Sequence, residues 1–91
     1  MMYYEIKFNQ TTSVYASKDQ EANLMYLRLI EKHVNDLLKI RGYVYSNQIY
    51  EELGIRWDPT WSSYCLLYKY GRDIKFDIRM VDDGFEVVIS M

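Results

Sequence analysis

The sequence predicts an α+β fold: an antiparallel sheet with one long and one short helix packed on one face. Three observations carry this. Apolar residues recur at three- and four-residue steps from Leu24 to Leu38, the period of a long half-buried helix. Alternation in Tyr3–Phe8, and again on both sides of Asp83-Gly84, is the period of strands with one wet face. A short second helix, Ser46 to Gly54, has start and stop signals that agree.

The elements follow in chain order. Tyr4, Ile6 and Phe8 share one strand face, and Tyr3, Glu5 and Lys7 the other. Asn9-Gln10-Thr11-Thr12 turns the chain, and Val14-Tyr15-Ala16 is expected to pair back as a short strand. Ser17 and Gln20 fit a capping box for the long helix. Its buried stripe is Leu24, Leu27, Ile30, Val34, Leu37 and Leu38, running to about Ile40. Arg28, Glu31, Lys32, Asn35, Asp36 and Lys39 are assigned to the outside, with Lys32 and Asp36 as an i, i+4 ion pair.

Gly42 is placed to end that helix in a left-handed conformation, and Tyr43-Val44-Tyr45 is extended. Ser46 reads as the N-cap of the short helix, with Tyr45 stapled on Tyr50. Gly54 closes it in a Schellman arrangement that brings Ile55 back to Tyr50.

Asp58 to Gly71 admits two readings. As a helix it has Asp58 at the N-cap, Pro59 at the first helical position and Gly71 past the end. As a strand, Tyr64 to Tyr70 precedes Ile74–Ile78, and Gly71-Arg72-Asp73 closes a hairpin between them. Helix gives a winged-helix order; strand gives two helices on a sheet. The strand is favoured, because closely spaced Tyr are poor helix formers and a lone hairpin would leave its apolar face under-covered. In the last third, Asp83-Gly84 is a type I′ turn signal. A two-residue loop there sets Met80 against Val87, Ile78 against Ile89 and Phe76 against Met91. One face is then wholly apolar, whereas a three-residue loop would oppose Met80 and Glu86.

The 91 residues make one domain, 1–91, with 49% hydrophobic and 26% charged residues. A chain of this size buries roughly 60–65% of its unfolded surface, enough to fold alone with little margin. A net charge of -2, from 11 basic and 13 acidic residues, is too balanced for a generic nucleic-acid binder or an acidic DNA mimic. One Cys allows no internal disulfide, no apolar run is long enough to span a bilayer, and the N-terminal residues carry no apolar signal core. A cytoplasmic, unanchored protein is expected.

Enzyme readings find little support. His33 and Cys65 are the only residues of their types and share no spacing signature. The four Gly fit turns and caps rather than a phosphate loop. Asp73 with Asp77, or Asp82 with Asp83, is better explained by turn chemistry and strand solubility than by acid–base work. The expectation is a non-enzyme with no cofactor and no metal.

The unusual feature is aromatic: ten Tyr, two Trp and three Phe, 16% of the chain. A domain this small cannot bury all of them with satisfied hydroxyls. Tyr43, Tyr45, Trp57, Trp61, Tyr64, Tyr68 and Tyr70 are therefore the candidate protein interface. The competing reading is an amphipathic core edge with hydroxyls at the surface.

The stretch Arg41-Gly42-Tyr43-Val44, with Asn47 three residues on and Leu53-Gly54 closing the helix, resembles a group of small proteins carried by Gram-positive phages and integrative elements. Phe76 and Ile78 also match, while Asp77 stands where the group has Gly. The resemblance spans roughly residues 30–80, implies a mobile-element origin and a strand at Tyr64–Tyr70, and transfers no catalytic residue. The expected function is protein binding by a phage or mobile-element accessory protein, with inhibition of a host defence protein as one use. The alternative is a winged-helix DNA-binding regulator. A protein partner is expected, a membrane is not, nucleic acid is disfavoured, and a homodimer stays open.

Overall fold

A computed structural model describes residues 3–55, 65–68 and 71–91. Strand β1 is Tyr3–Phe8, helix α1 Gln20–Arg41, strand β2 Tyr43–Tyr45 and helix α2 Ser46–Glu52. Strands β3 (Cys65–Leu67), β4 (Lys75–Val81) and β5 (Gly84–Ser90) follow. The strands form two antiparallel sheets, one of order β1-β5-β4 and a ribbon of β2 and β3. The α+β class is as the sequence predicts.

The core lies between α1 and one face of the three-stranded sheet. Ile6 and Phe8 of β1, Phe76 of β4, and Phe85, Val87 and Ile89 of β5 are buried there with Leu27, Ile30, Val34 and Leu38 of α1. On the opposite face Lys7 and Arg79 flank Glu86, cation–anion–cation across three strands, and Arg79 pairs directly with Glu86.

The hairpin faces are as expected but the register is not. Val81 opposes Gly84, so the loop is Asp82-Asp83, and Phe76, Ile78 and Met80 oppose Ile89, Val87 and Phe85. The slip is two residues, an even number, so each side chain keeps its face. Gly84 is required by tertiary packing rather than by the turn. Buried under the end of β1, a Cβ there would collide with the Phe8 carbonyl oxygen and meet Asn9 Cβ at 2.8 Å.

The start of α1 also differs from expectation. Its N-cap is Asp19, whose Oδ1 accepts from the N–H groups of Glu21 and Ala22. Ser17 belongs to the preceding loop. There the Asn23 amide donates to the Ser17 carbonyl and accepts from its N–H, both at 2.9 Å. That exchange draws Asn23 into the buried stripe and leaves Leu24 at the surface. Gly42, at φ 82°, ends the helix as expected and returns its N–H to the Leu38 carbonyl.

Val14–Ala16 forms no strand. Asn9 and Thr12 close the turn after β1 on each other, and Thr12 Oγ1 also donates to the Lys7 carbonyl at 2.6 Å. The chain then docks on the end of α2: Ser13 Oγ donates to the Leu53 carbonyl, Val14 N–H to that of Gly54, and Ser13 bridges Ile55. The Schellman closure is present in full, with Ile55 N–H on the Tyr50 carbonyl and Gly54 N–H on that of Glu51, both 3.0 Å. Helix α2 begins at Ser46 itself, with Tyr45 at the cap position and no side-chain cap bond.

The strand reading of the aromatic segment holds at Cys65–Leu67, which excludes a helix through to Tyr70. Its expected partner is wrong. β3 pairs with β2 rather than hairpinning onto β4, because α1 takes the β4 edge. Asn35 Nδ2 donates to the Ile74 carbonyl at 2.8 Å, and its Oδ1 accepts from the Ile74 N–H at 2.7 Å. One turn earlier, Glu31 Oε2 accepts from the Phe76 N–H at 2.7 Å, and Arg28 Nη1 donates to the Phe76 carbonyl at 3.1 Å. Four helical residues rise about 6 Å and two strand residues about 6.7 Å, so the two repeats run in step. Three side chains assigned to the solvent face thus serve as the missing neighbour strand.

Replacing Asn35 by Leu keeps the volume and strands both polar groups of Ile74. Urea unfolding should show a loss of ~1–3 kcal/mol. Asp36→Asn, which breaks only the exposed Lys32–Asp36 pair at 2.9 Å, should cost less than ~0.5 kcal/mol. Gly84→Ala should lose at least ~2 kcal/mol through its collision with β1, and a neutral result would contradict the Asp82-Asp83 register.

Candidate functional site

The β2–β3 ribbon is built outward from Gly42. Left-handed backbone at this residue reverses the chain out of α1, and the Gly42 carbonyl accepts from the Tyr68 N–H at 3.0 Å, extending the pairing past β3. Tyr43 opposes Leu67, Val44 opposes Leu66, and Tyr45 opposes Cys65. Strand alternation then sorts the side chains. Val44 and Leu66 are buried in the core, while Tyr43 (39%), Tyr45 (49%) and Leu67 (43%) are exposed.

The exposed rings are ordered by their neighbours. Tyr43 and Tyr45 meet edge to face, centroids 5.7 Å apart at 73°, the arrangement that ring quadrupoles favour. The Arg41 guanidinium lies over the Tyr43 ring, 5.1 Å from its centroid. Its Nη2 donates to Gln48 Oε1 at 2.7 Å. The end of α1, the start of β2 and the first turn of α2 are thereby joined into one small surface of two Tyr, one Arg and one Leu. A surface of this make-up binds by apolar contact, ring stacking and hydroxyl hydrogen bonds, with one cation for an acidic or carbonyl group.

Of the seven aromatic residues singled out in the sequence, Tyr43 and Tyr45 come together on this ribbon. Tyr68 is half buried and packed against the core. Trp57, Trp61, Tyr64 and Tyr70 lie outside the described residues. Arg41 and Leu67 were missed as members of the surface. The signal for Leu67 was present, since period-2 alternation through Cys65-Leu66-Leu67 sets it opposite the buried Leu66.

Several titratable groups elsewhere are engaged in structure. His33 Nε2 lies 3.5 Å from Glu52 Oε1, linking the two helices at the surface. Asp73 pairs with Lys39, and Asp82 and Asp83 form the hairpin loop. Lys32 hydrogen-bonds Asp36 and holds its carboxyl below the usual value. Burial, reinforced by Tyr15 and Glu52, pushes the Tyr26 hydroxyl above its ordinary value, and that hydroxyl donates to the Glu52 carbonyl. Among the described residues no group of three or more His, Cys, Asp or Glu is placed to hold a metal ion. No helix among them is long and apolar enough to cross a membrane. Arg28, Lys32, Lys39 and Arg79 each face a carboxylate within an ion-pair distance, which dilutes any cationic footprint.

The chain belongs to a family of unknown function, DUF6353, whose model matches residues 3–64. The match takes in β1, both helices and β2, and so includes Arg41, Tyr43 and Tyr45 of the ribbon. No curated protein and no solved structure matches the chain.

The ribbon depends on the backbone sign at Gly42. A Cβ there would meet nothing within 4 Å, so only left-handed strain opposes substitution. Gly42→Ala should cost ~1–2 kcal/mol in urea unfolding, and Gly42→Asn less, since Asn tolerates that conformation. Equal losses would place the constraint in packing instead.

Proposed function

We propose that the chain is a non-enzymatic protein-binding module whose partner docks on the β2–β3 ribbon. One observation carries the reading: the ordered, exposed pair Tyr43 and Tyr45, with Leu67 beside them and Arg41 laid over the first ring. Tyr and Arg are the residues enriched in binding hot spots. A Tyr ring already held by neighbours loses little conformational freedom on binding, so more of its contact energy remains as affinity. Arg41 adds a cation held in place by Gln48 and the Tyr43 ring.

The role we infer is that of a cytoplasmic accessory protein of a phage or integrative element, acting without a cofactor. Inhibition of a host defence protein is one such use. Its support is the resemblance around Arg41–Val44, Asn47 and Leu53-Gly54. The winged-helix reading has less behind it. Strand β3 falls where the recognition helix would run, and Arg28, Lys32, Lys39 and Arg79 are paired with carboxylates.

Affinity capture from a nuclease-treated Gram-positive lysate tests the reading, with the parent and Tyr45→Ala as parallel baits. A specific protein should be retained by the parent and depleted about thirtyfold by the variant, the equivalent of ~2 kcal/mol. Both baits should unfold at nearly the same urea concentration. Equal retention on the two baits, or retention abolished by nuclease, would contradict it.

A further inference from the structure

Helix α1 carries a second apolar stripe that the core does not use. Ala22, Leu24, Met25, Tyr26, Arg28 and Leu29 line one shallow depression on its outer surface. Met25 is 73% and Leu29 61% exposed, one helical turn apart, with Ala22 a turn before. The floor is rigid. The Tyr26 ring stacks on Phe8 with centroids 6.0 Å apart and meets Tyr15 edge-on at 5.9 Å, while its hydroxyl is tied to the Glu52 carbonyl. Leu29 lies about 18 Å along the helix axis from Arg41, so this surface is separate from the ribbon.

The charges around the stripe are self-complementary. Glu21 lies six residues before the midpoint of Met25 and Leu29, and Lys32 five residues after it. We propose that the outer face of α1 is covered by a second copy of this chain, the two helices antiparallel about a two-fold axis between Met25 and Leu29. Met25 of one copy then meets Leu29 of the other. Glu21 of one copy faces Lys32 of its partner, a pair that occurs twice. Parallel packing would set Lys32 against Lys32 and align the two helix dipoles, so the charge pattern selects the antiparallel arrangement.

Sedimentation equilibrium of the full chain tests this, and the test does not depend on the ribbon's function. The expected result is a monomer–dimer equilibrium with a dissociation constant in the micromolar range, roughly 1–100 µM. Met25→Gln combined with Leu29→Gln should weaken it at least tenfold and leave the urea midpoint of the monomer unchanged, since both side chains are exposed. Glu21→Lys and Lys32→Glu should each weaken it, and the two together should restore it. Several results would overturn the proposal. One is a chain that stays monomeric up to ~1 mM. Another is a dimer indifferent to the Met25 and Leu29 changes or lost through Tyr45→Ala instead. The third is a charge-swapped pair no tighter than either single variant.

Discussion

The rest of the fold depends on the closure of the β4 edge by the polar flank of α1. An edge strand presents unpaired N–H and C=O groups, and each such group left dry and unpaired costs ~1–3 kcal/mol. Here Asn35, Glu31 and Arg28 supply the partners for Ile74 and Phe76. This fixes the position of α1 along β4, and with it the side chains that meet Phe76 and Ile89 in the core. It also denies that stretch of edge to the aromatic segment. β3 pairs with β2 instead, burying Leu66 and Val44 and turning Tyr43, Tyr45 and Leu67 outward. The candidate binding surface is thus a consequence of how the sheet edge is satisfied.

Local chemistry was legible in the sequence wherever the partner was also local. Gly42 and Gly54 closed their helices as read, because each closure uses a left-handed residue and carbonyls within five positions, although Gly54 also lies too close to the Tyr15 ring to carry a Cβ. The faces of the hairpin followed from alternation. Its register did not, because Gly84 answers to Phe8 and Asn9, more than seventy positions away, rather than to its own turn. Asn23 displaced Leu24 from the buried stripe by satisfying the Ser17 backbone, an exchange invisible to a hydrophobic pattern. Asn35, Glu31 and Arg28 looked like solvent-facing polar residues. Nothing in a sequence separates a carboxylate facing water from one facing an unpaired amide, and that is why the partner of β3 was misread.

The candidate site was half legible. Alternation about the apolar Val44 put Tyr43 and Tyr45 on one face, and both are there. Arg41 did not stand out as part of this surface, and the structure sets it against the Tyr43 ring and Gln48. The outer apolar stripe of α1 was passed over because the charged residues around it, Glu21, Lys32 and Asp36, mark a wet face by the usual reading. The stripe lies in the first half of α1, and the ribbon begins beyond its C-terminal end.

The central claim is that α1 side chains take the place of a neighbouring strand along part of β4. Amide hydrogen exchange by NMR reads this residue by residue. The N–H groups of Ile74, Phe76, Ile78 and Met80 share the side of β4 that faces away from β5, by strand alternation. Among the described residues no side chain reaches those of Ile78 and Met80. Ile74 and Phe76 should therefore exchange as slowly as the β5 amides, and Ile78 and Met80 far faster, on one edge of one strand. Ile74 and Phe76 exchanging as fast as Ile78 and Met80 would show that the edge is open throughout and would contradict the account.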